Sequence, residues 1–188
     1  MAPDSFKGSL TSLQVASIME KAISRINPKD KVIIKPMADG GEGTVDVLLA
    51  STNGRHIPII CTGPLGKEID TYYGIVDDKT AIIEIANITG LVQVPENKRN
   101  PDNTSSNGLG EVIQDALDKE CTTIIIGLGG SATNDGGYGL LRSLGMKAWR
   151  KDRIELGVFG KDMIEVEKIS FADLDPRILN VVIRWRAM

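Results

Sequence analysis

Between positions 12 and 26 the apolar residues Val15, Ile18, Met19, Ala22, Ile23 and Ile26 recur at three- and four-residue spacing. That spacing predicts a helix over residues 11–26 with one apolar face. Thr11-Ser-Leu-Gln14 has the pattern of a capping box at its start, and Asn27-Pro28 ends it. The apolar run Val32-Ile-Ile34 predicts a short strand through Lys35. A second helix is expected over 42–51, with Val45, Leu48 and Leu49 inward and Asn53-Gly54 as its stop. Helix, strand, loop and helix in that order form an α/β pattern of the doubly wound type. The middle of the chain changes character. Residues 56–61, 68–76 and 80–86 read as strands separated by Gly63-Pro-Leu-Gly66 and Asp77-Asp78, which predicts a meander and a second subdomain. A polar loop follows over 95–107, then a helix over 110–120 with Val112, Ile113, Ala116 and Leu117 inward, then a strand over 122–128. The expected fold class is α/β. It consists of a Rossmann-like, doubly wound parallel-sheet segment over residues 1–57 and a second α/β domain over residues 58–188.

Charge and composition narrow the function classes. The formal net charge is −3, and the cations are scattered apart from Arg150-Lys-Asp-Arg153. Nucleic-acid binding is therefore not expected, since it needs a basic stripe. No apolar stretch approaches the roughly 20 residues of a membrane span, and no secretory signal opens the chain. Cys61 and Cys121 are isolated within strand-like segments and read as buried reduced thiols, which fits a cytoplasmic protein. His56 is the single histidine. This excludes a His-rich zinc site and leaves acid–base work to carboxylates or lysine. His56 itself reads as a surface or structural residue at a strand start.

The candidate chemistry sits in three loops rich in small, polar and acidic residues. Gly127-Leu-Gly-Gly-Ser-Ala-Thr-Asn-Asp-Gly-Gly137 follows a buried-strand pattern and precedes a short helical one, Tyr138 to Leu144. Glycines let backbone approach a ligand closely, and free N–H groups at a helix start favour an anion. Asp135 stands in the middle, able to hold a metal or accept a proton. Pro36-Met-Ala-Asp-Gly-Gly-Glu-Gly-Thr44 repeats this logic. Asp39 leaves the strand end towards the crevice and is the first choice for a catalytic base or metal carboxylate, whereas Glu42 reads as helix-stabilising. Asp4-Ser-Phe-Lys-Gly8 places a carboxylate, a hydroxyl and an ammonium together, with Lys7 suited to a phosphate or a substrate carboxylate. Gly127, Gly129 and Ala132 also spell G-x-G-x-x-A, with Asp152 near the expected distance beyond. This keeps a dinucleotide-binding oxidoreductase as an alternative.

APDSFKGSLTS from Ala2, PMADGGEGTVD from Pro36, TGPLG from Thr62 and GLGGSATNDGG from Gly127 together resemble the bacterial type of glycerate kinase. The resemblance runs over nearly the whole chain. It implies transfer of the ATP γ-phosphoryl group to a hydroxyl of glycerate, with ATP and Mg²⁺ required. It further implies Lys7, Asp39 and Asp135 as catalytic residues, with Asp39 and Asp135 as metal carboxylates. Asp4, Ser5, Gly40, Gly41, Gly43, Thr44, Gly129, Gly130, Ser131, Asn134 and Gly136 would bind substrate or nucleotide, with Lys7 and Ser131 as candidates for the glycerate carboxylate. Members of the family place an apolar strand before the first loop and continue well past residue 188. The chain is therefore expected to be an incomplete form, marginally folded over 1–55, prone to self-association and inactive by itself.

Overall fold

The computed structural model describes residues 1–6 and 9–186. Its main sheet has five strands, in the order β1 (Arg55–Thr62), β2 (Glu68–Val76), β3 (Thr80–Glu84), β4 (Thr123–Gly127) and β7 (Val182–Arg186). The β1–β2 and β2–β3 pairs are antiparallel, as a meander requires, and β3–β4 and β4–β7 are parallel. A parallel step needs a crossover. Between β3 and β4 it is supplied by α3 (Ile85–Thr89) and α4 (Asn107–Asp118). After β4 come α5 (Tyr138–Ser143) and a small antiparallel pair, β5 (Lys147–Trp149) with β6 (Lys168–Ser170). The chain is thus α/β, with a mixed main sheet.

Alternation along the strands divides the core between two faces. Tyr73, Ile75, Ile83, Ile124 and Ile126 pack with Val112, Ile113 and Ala116 of α4 on one face. Val76 and Ile82 pack with Val45 and Leu49 of α2 (Thr44–Ala50) on the other. Cys61 and Cys121 are both buried free thiols, and burial pushes the Cys61 thiol up to about 12. Among the described residues, no helix is long and apolar enough to cross a membrane.

One expectation for the first 50 residues is corrected. Residues 32–35 form no regular strand. They are extended and tied to the N-terminal segment: the Met1 amino group donates to Ile33 O at 2.6 Å, Lys35 N–H to Met1 O at 2.8 Å and Met37 N–H to Pro3 O at 2.9 Å. Pro3 has no N–H to donate between the last two of these bonds, so the ladder is interrupted there. Helix α1 (Ser12–Ile26) starts at the expected capping box, with Thr11 and Gln14 exchanging bonds of 2.9 and 3.1 Å. Its apolar stripe, however, is only half covered. Val15 and Ala16 are buried, whereas Ile18, Met19 and Ile26 are exposed. Helical spacing shows which residues share a face, but it does not say whether another element meets that face.

Candidate active site

Parallel pairing puts the carboxyl ends of β3 and β4 side by side, with Glu84 opposite Gly127. Ligands gather beyond the carboxyl ends of strands in such sheets, and the loops from the sequence analysis converge there. The 127–130 loop lies directly against the 39–44 loop, with Gly129 N–H donating to Gly40 O at 2.8 Å. A Cβ at Gly129 would stand 2.5 Å from Gly41 Cα, and one at Gly127 would stand 2.6 Å from Gly40 O. These glycines are therefore required by loop-on-loop packing. The Met37–Pro3 bond sets Asp4 and Ser5 beside Ala38 and Asp39.

Together these segments enclose a cleft of about 290 Å³, lined by Asp4, Ser5, Asp39, Gly41, Glu42, Gly129 and Gly130 on the expected loops. Arg99, Leu91 and Val92 complete its wall. A second lobe of about 330 Å³ shares Ser5, Glu42 and Val92 and extends to Gly43, Asp46, Tyr72 and Asn87. Asp39 Oδ1 accepts from Gly41 N–H at 2.8 Å, which fixes the carboxyl orientation and, among the described residues, leaves its other oxygen available. Arg99 is held by its Nε–H to Val94 O at 3.3 Å, and among the described residues only a loose 3.8 Å approach from Glu96 faces its guanidinium. Sequence reasoning placed residues 95–107 in a polar loop and missed Arg99. The adjacent pair Lys98-Arg99 was the available signal.

The expectation that the helix starts offer free N–H groups to a ligand is corrected at both glycine loops. At α2, the buried Glu84 already occupies that position, accepting from Gly43 N–H at 3.0 Å and Val45 N–H at 3.1 Å. At α5, Asp135 does the same. It is 1% exposed and accepts from Ser106 N–H and Oγ–H at 2.8 Å each, Gly139 N–H at 3.1 Å and Gly137 N–H at 3.2 Å. This geometry makes Asp135 a tie between α4 and α5 and places it outside the cleft, so its expected part as a metal carboxylate is withdrawn.

Gly40 is buried beneath the cleft floor, and Thr44 is buried with its hydroxyl donating to Gly41 O at 2.7 Å. Ser131 lies just beyond the lining, its hydroxyl 3.0 Å from that of Thr133. Asn134 and Gly136 are exposed in the turn towards α5 and do not line the cleft. Lys7 lies outside the described residues. His56 is structural, its Nε2 2.8 Å from Asp46 and its ring edge-on to Tyr72 at 5.0 Å.

Glu84 carries a testable pH dependence. Burial pushes its carboxyl up to about 7 from an ordinary 4.5, against the opposing pull of the Val45 and Gly43 N–H bonds. The folded state therefore holds a proton more readily than the unfolded chain. The resulting stability is full below about pH 4.5 and is lost as pH rises to about 7. Melting temperature measured from pH 5 to 8 should fall across that window, and the Glu84→Gln variant should lose this slope.

The chain matches the Glycerate kinase family over residues 1–187. The chain belongs to the glycerate kinase family. It is 46% identical over 182 residues to a glycerate kinase of Haemophilus influenzae, covering 96% of this chain and 48% of that protein. It is 45% identical over 185 residues to glycerate 2-kinase of Escherichia coli, covering 98% of this chain and 49% of that protein. The crystal structure of a candidate glycerate kinase 2 from Salmonella typhimurium LT2 superposes with a TM-score of 0.85 at 40% identity, covering 98% of this chain and 50% of that one. The chain thus spans about half the length of these relatives. Family membership replaces the oxidoreductase alternative, and the geometry agrees. The dinucleotide fingerprint requires a helix opening at the glycines, whereas α5 begins only at Tyr138 and Asp152 sits in an exposed turn against Arg150.

Proposed function

We propose that this glycerate kinase family chain carries the acceptor side of an ATP-dependent phosphotransferase acting on a hydroxyl of glycerate. The observation that carries the reading is a cleft in which a carboxylate with an available oxygen, Asp39, shares the lining with a guanidinium, Arg99. The acceptor hydroxyl oxygen attacks the γ-phosphorus, the bond from phosphorus to the bridging oxygen breaks, and ADP leaves. The hydroxyl proton passes to Asp39 as general base. Arg99 neutralises anionic oxygens of the acceptor or of the phosphoryl group. Positioning and charge neutralisation dominate such transfers, and both groups are fixed by hydrogen bonds to backbone.

Among the described residues, no group of three or more potential ligand side chains converges. That suits Mg²⁺, which is held by one or two carboxylates together with substrate phosphates. Asp4 is the carboxylate that would hold it, which leaves Asp39 as the base, and the ion would neutralise phosphate charge. The reading places the cleft between residues 1–57 and the later domain over 58–188, with a cytoplasmic location supported by the two buried free thiols.

The test is a coupled ADP-release assay with glycerate and Mg²⁺–ATP, with calorimetry of each substrate alongside. Glycerate-dependent ADP release is expected, in place of the inactivity anticipated from the sequence, because Asp4, Ser5, Asp39, Gly129 and Gly130 already meet in one cleft within this chain. Absence of turnover together with absence of glycerate binding would overturn the reading.

A further inference from the structure

The 39–44 loop that carries Asp39 is held to the sheet from two sides. On one side Gly129 N–H donates to Gly40 O at 2.8 Å. On the other stands Glu84, the last residue of β3, opposite Gly127 in the sheet register. Glu84 is 0% exposed, and its partners are backbone N–H groups rather than a cation. Burying a carboxylate in that way is costly, so the position calls for a reason. Each of its oxygens accepts one bond, Oε1 from Gly43 N–H at 3.0 Å and Oε2 from Val45 N–H at 3.1 Å. The ionised group meets both donors with strong acceptors, whereas a protonated one places a hydroxyl against one of them.

The hydrogen bonds continue from Glu84 to Asp39. Thr44 lies between the two donors and gives its own hydroxyl to Gly41 O at 2.7 Å, and Gly41 N–H donates to Asp39 Oδ1 at 2.8 Å. Gly43 takes φ +87°, a conformation that glycine enters without being confined to it, so the Glu84 anchor rather than local preference holds it. Glu84 itself lines neither lobe of the cleft.

We infer that Glu84 is a positioning residue for the phosphotransfer: as a carboxylate it clamps Gly43 and Val45 and thereby fixes Asp39 at the cleft, and on protonation it lets that loop relax. The inference rests on the phosphotransferase reading above and adds a control on its base. The titratable groups that face Glu84 are Asp46 of α2 and Tyr72 of β2. Asp46 opposes the ionisation of Glu84 by like charge and is itself engaged by His56 at 2.8 Å. The Tyr72 hydroxyl lies 3.3 Å from both Asp46 oxygens, and burial pushes it up to about 12. Helix α3 and the 127–130 loop bring no titratable side chain. Because burial outweighs the N–H bonds, the Glu84 carboxyl titrates at about 7. The charged form thus costs stability while it holds the loop, an exchange common at functional sites. Melting temperature and loop order should therefore move in opposite directions as pH rises through this range.

Amide ¹H–¹⁵N spectra of the parent chain from about pH 5 to 9 test the clamp without requiring turnover. The Gly43 and Val45 resonances should shift together near neutral pH, and the Gly41 resonance, which reports on Asp39, should follow with the same midpoint. Glu84→Gln should abolish the Gly41 transition, and His56→Gln should leave it in place. In the coupled assay, the ratio of parent to Glu84→Gln kcat should rise from about one at low pH to about tenfold or more at high pH, within the cost of a small misplacement of a reacting group. The KM for glycerate should change little. A lost anchor that only weakened the fold would lower the active fraction without this pH signature. If Gly43 and Val45 titrate while Gly41 stays flat, or if the Gly41 transition survives in Glu84→Gln, the clamp does not reach Asp39 and the inference is wrong. The parent spectra decide this even where Glu84→Gln folds poorly. If the spectra behave as expected and turnover is absent, the clamp stands and only the phosphotransferase reading falls.

Discussion

Asp39→Asn is expected to lower kcat for glycerate phosphorylation by about 10²-fold or more, the usual scale for loss of a general base. The substitution is a clean one here. Asp39 Oδ1 accepts from Gly41 N–H at 2.8 Å, and an asparagine oxygen can accept the same bond. The loop conformation is thus preserved while the negative charge and the proton-accepting oxygen are lost. Melting temperature should move little, because Asp39 stands on a half-buried loop position at the cleft. Coupled ADP release measures the first quantity and thermal unfolding the second. Unchanged turnover in a normally stable variant would remove Asp39 from the mechanism.

Asp135→Asn is expected to do the reverse. Asp135 Oδ2 accepts from Ser106 N–H, Ser106 Oγ–H and Gly139 N–H, and Oδ1 accepts from Gly137 N–H. An asparagine offers one accepting oxygen and turns an NH₂ towards the remaining donors. Each buried donor left unsatisfied costs about 1–3 kcal/mol, so a loss of about 3 kcal/mol is expected, roughly 10 °C in melting temperature for a chain of this size. The ratio of rate for Mg²⁺-dependent turnover to folded protein should stay close to that of the parent. A selective loss of Mg²⁺-dependent turnover with unchanged melting temperature would return Asp135 to the cleft as a metal carboxylate. The two variants therefore separate a site carboxylate from a structural one on the same two axes.

Much of the architecture was legible in local pattern. The capping box at Thr11, the meander between residues 55 and 84, the helix bearing Val112, Ile113 and Ala116, and the strand before the glycine loop follow from periodicity and turn chemistry. These are short-range rules, and neighbouring residues suffice to satisfy them. The long motifs also carried family membership and gathered Asp4, Ser5, Asp39, Gly41, Gly129 and Gly130 around one cleft.

Tertiary structure decided what each charged group faces. Asp39 and Asp135 stand in similar glycine-rich surroundings in the sequence. One is held by a single neighbouring N–H at a cleft, while the other is buried under donors from two helices, 29 and 4 residues away. Glu84 looks like an ordinary strand residue until Gly43 and Val45, 41 and 39 positions distant, are brought over it. Arg99 and Lys161 lie far apart along the chain and meet at one cavity only because Thr104 hydrogen-bonds Gly160. The apolar face of α1 is fixed by helical spacing, yet its partial exposure depends on which elements pack against it. Periodicity acts through bonds between near neighbours, whereas burial and electrostatic partnership depend on contacts between residues that only the folded chain brings together.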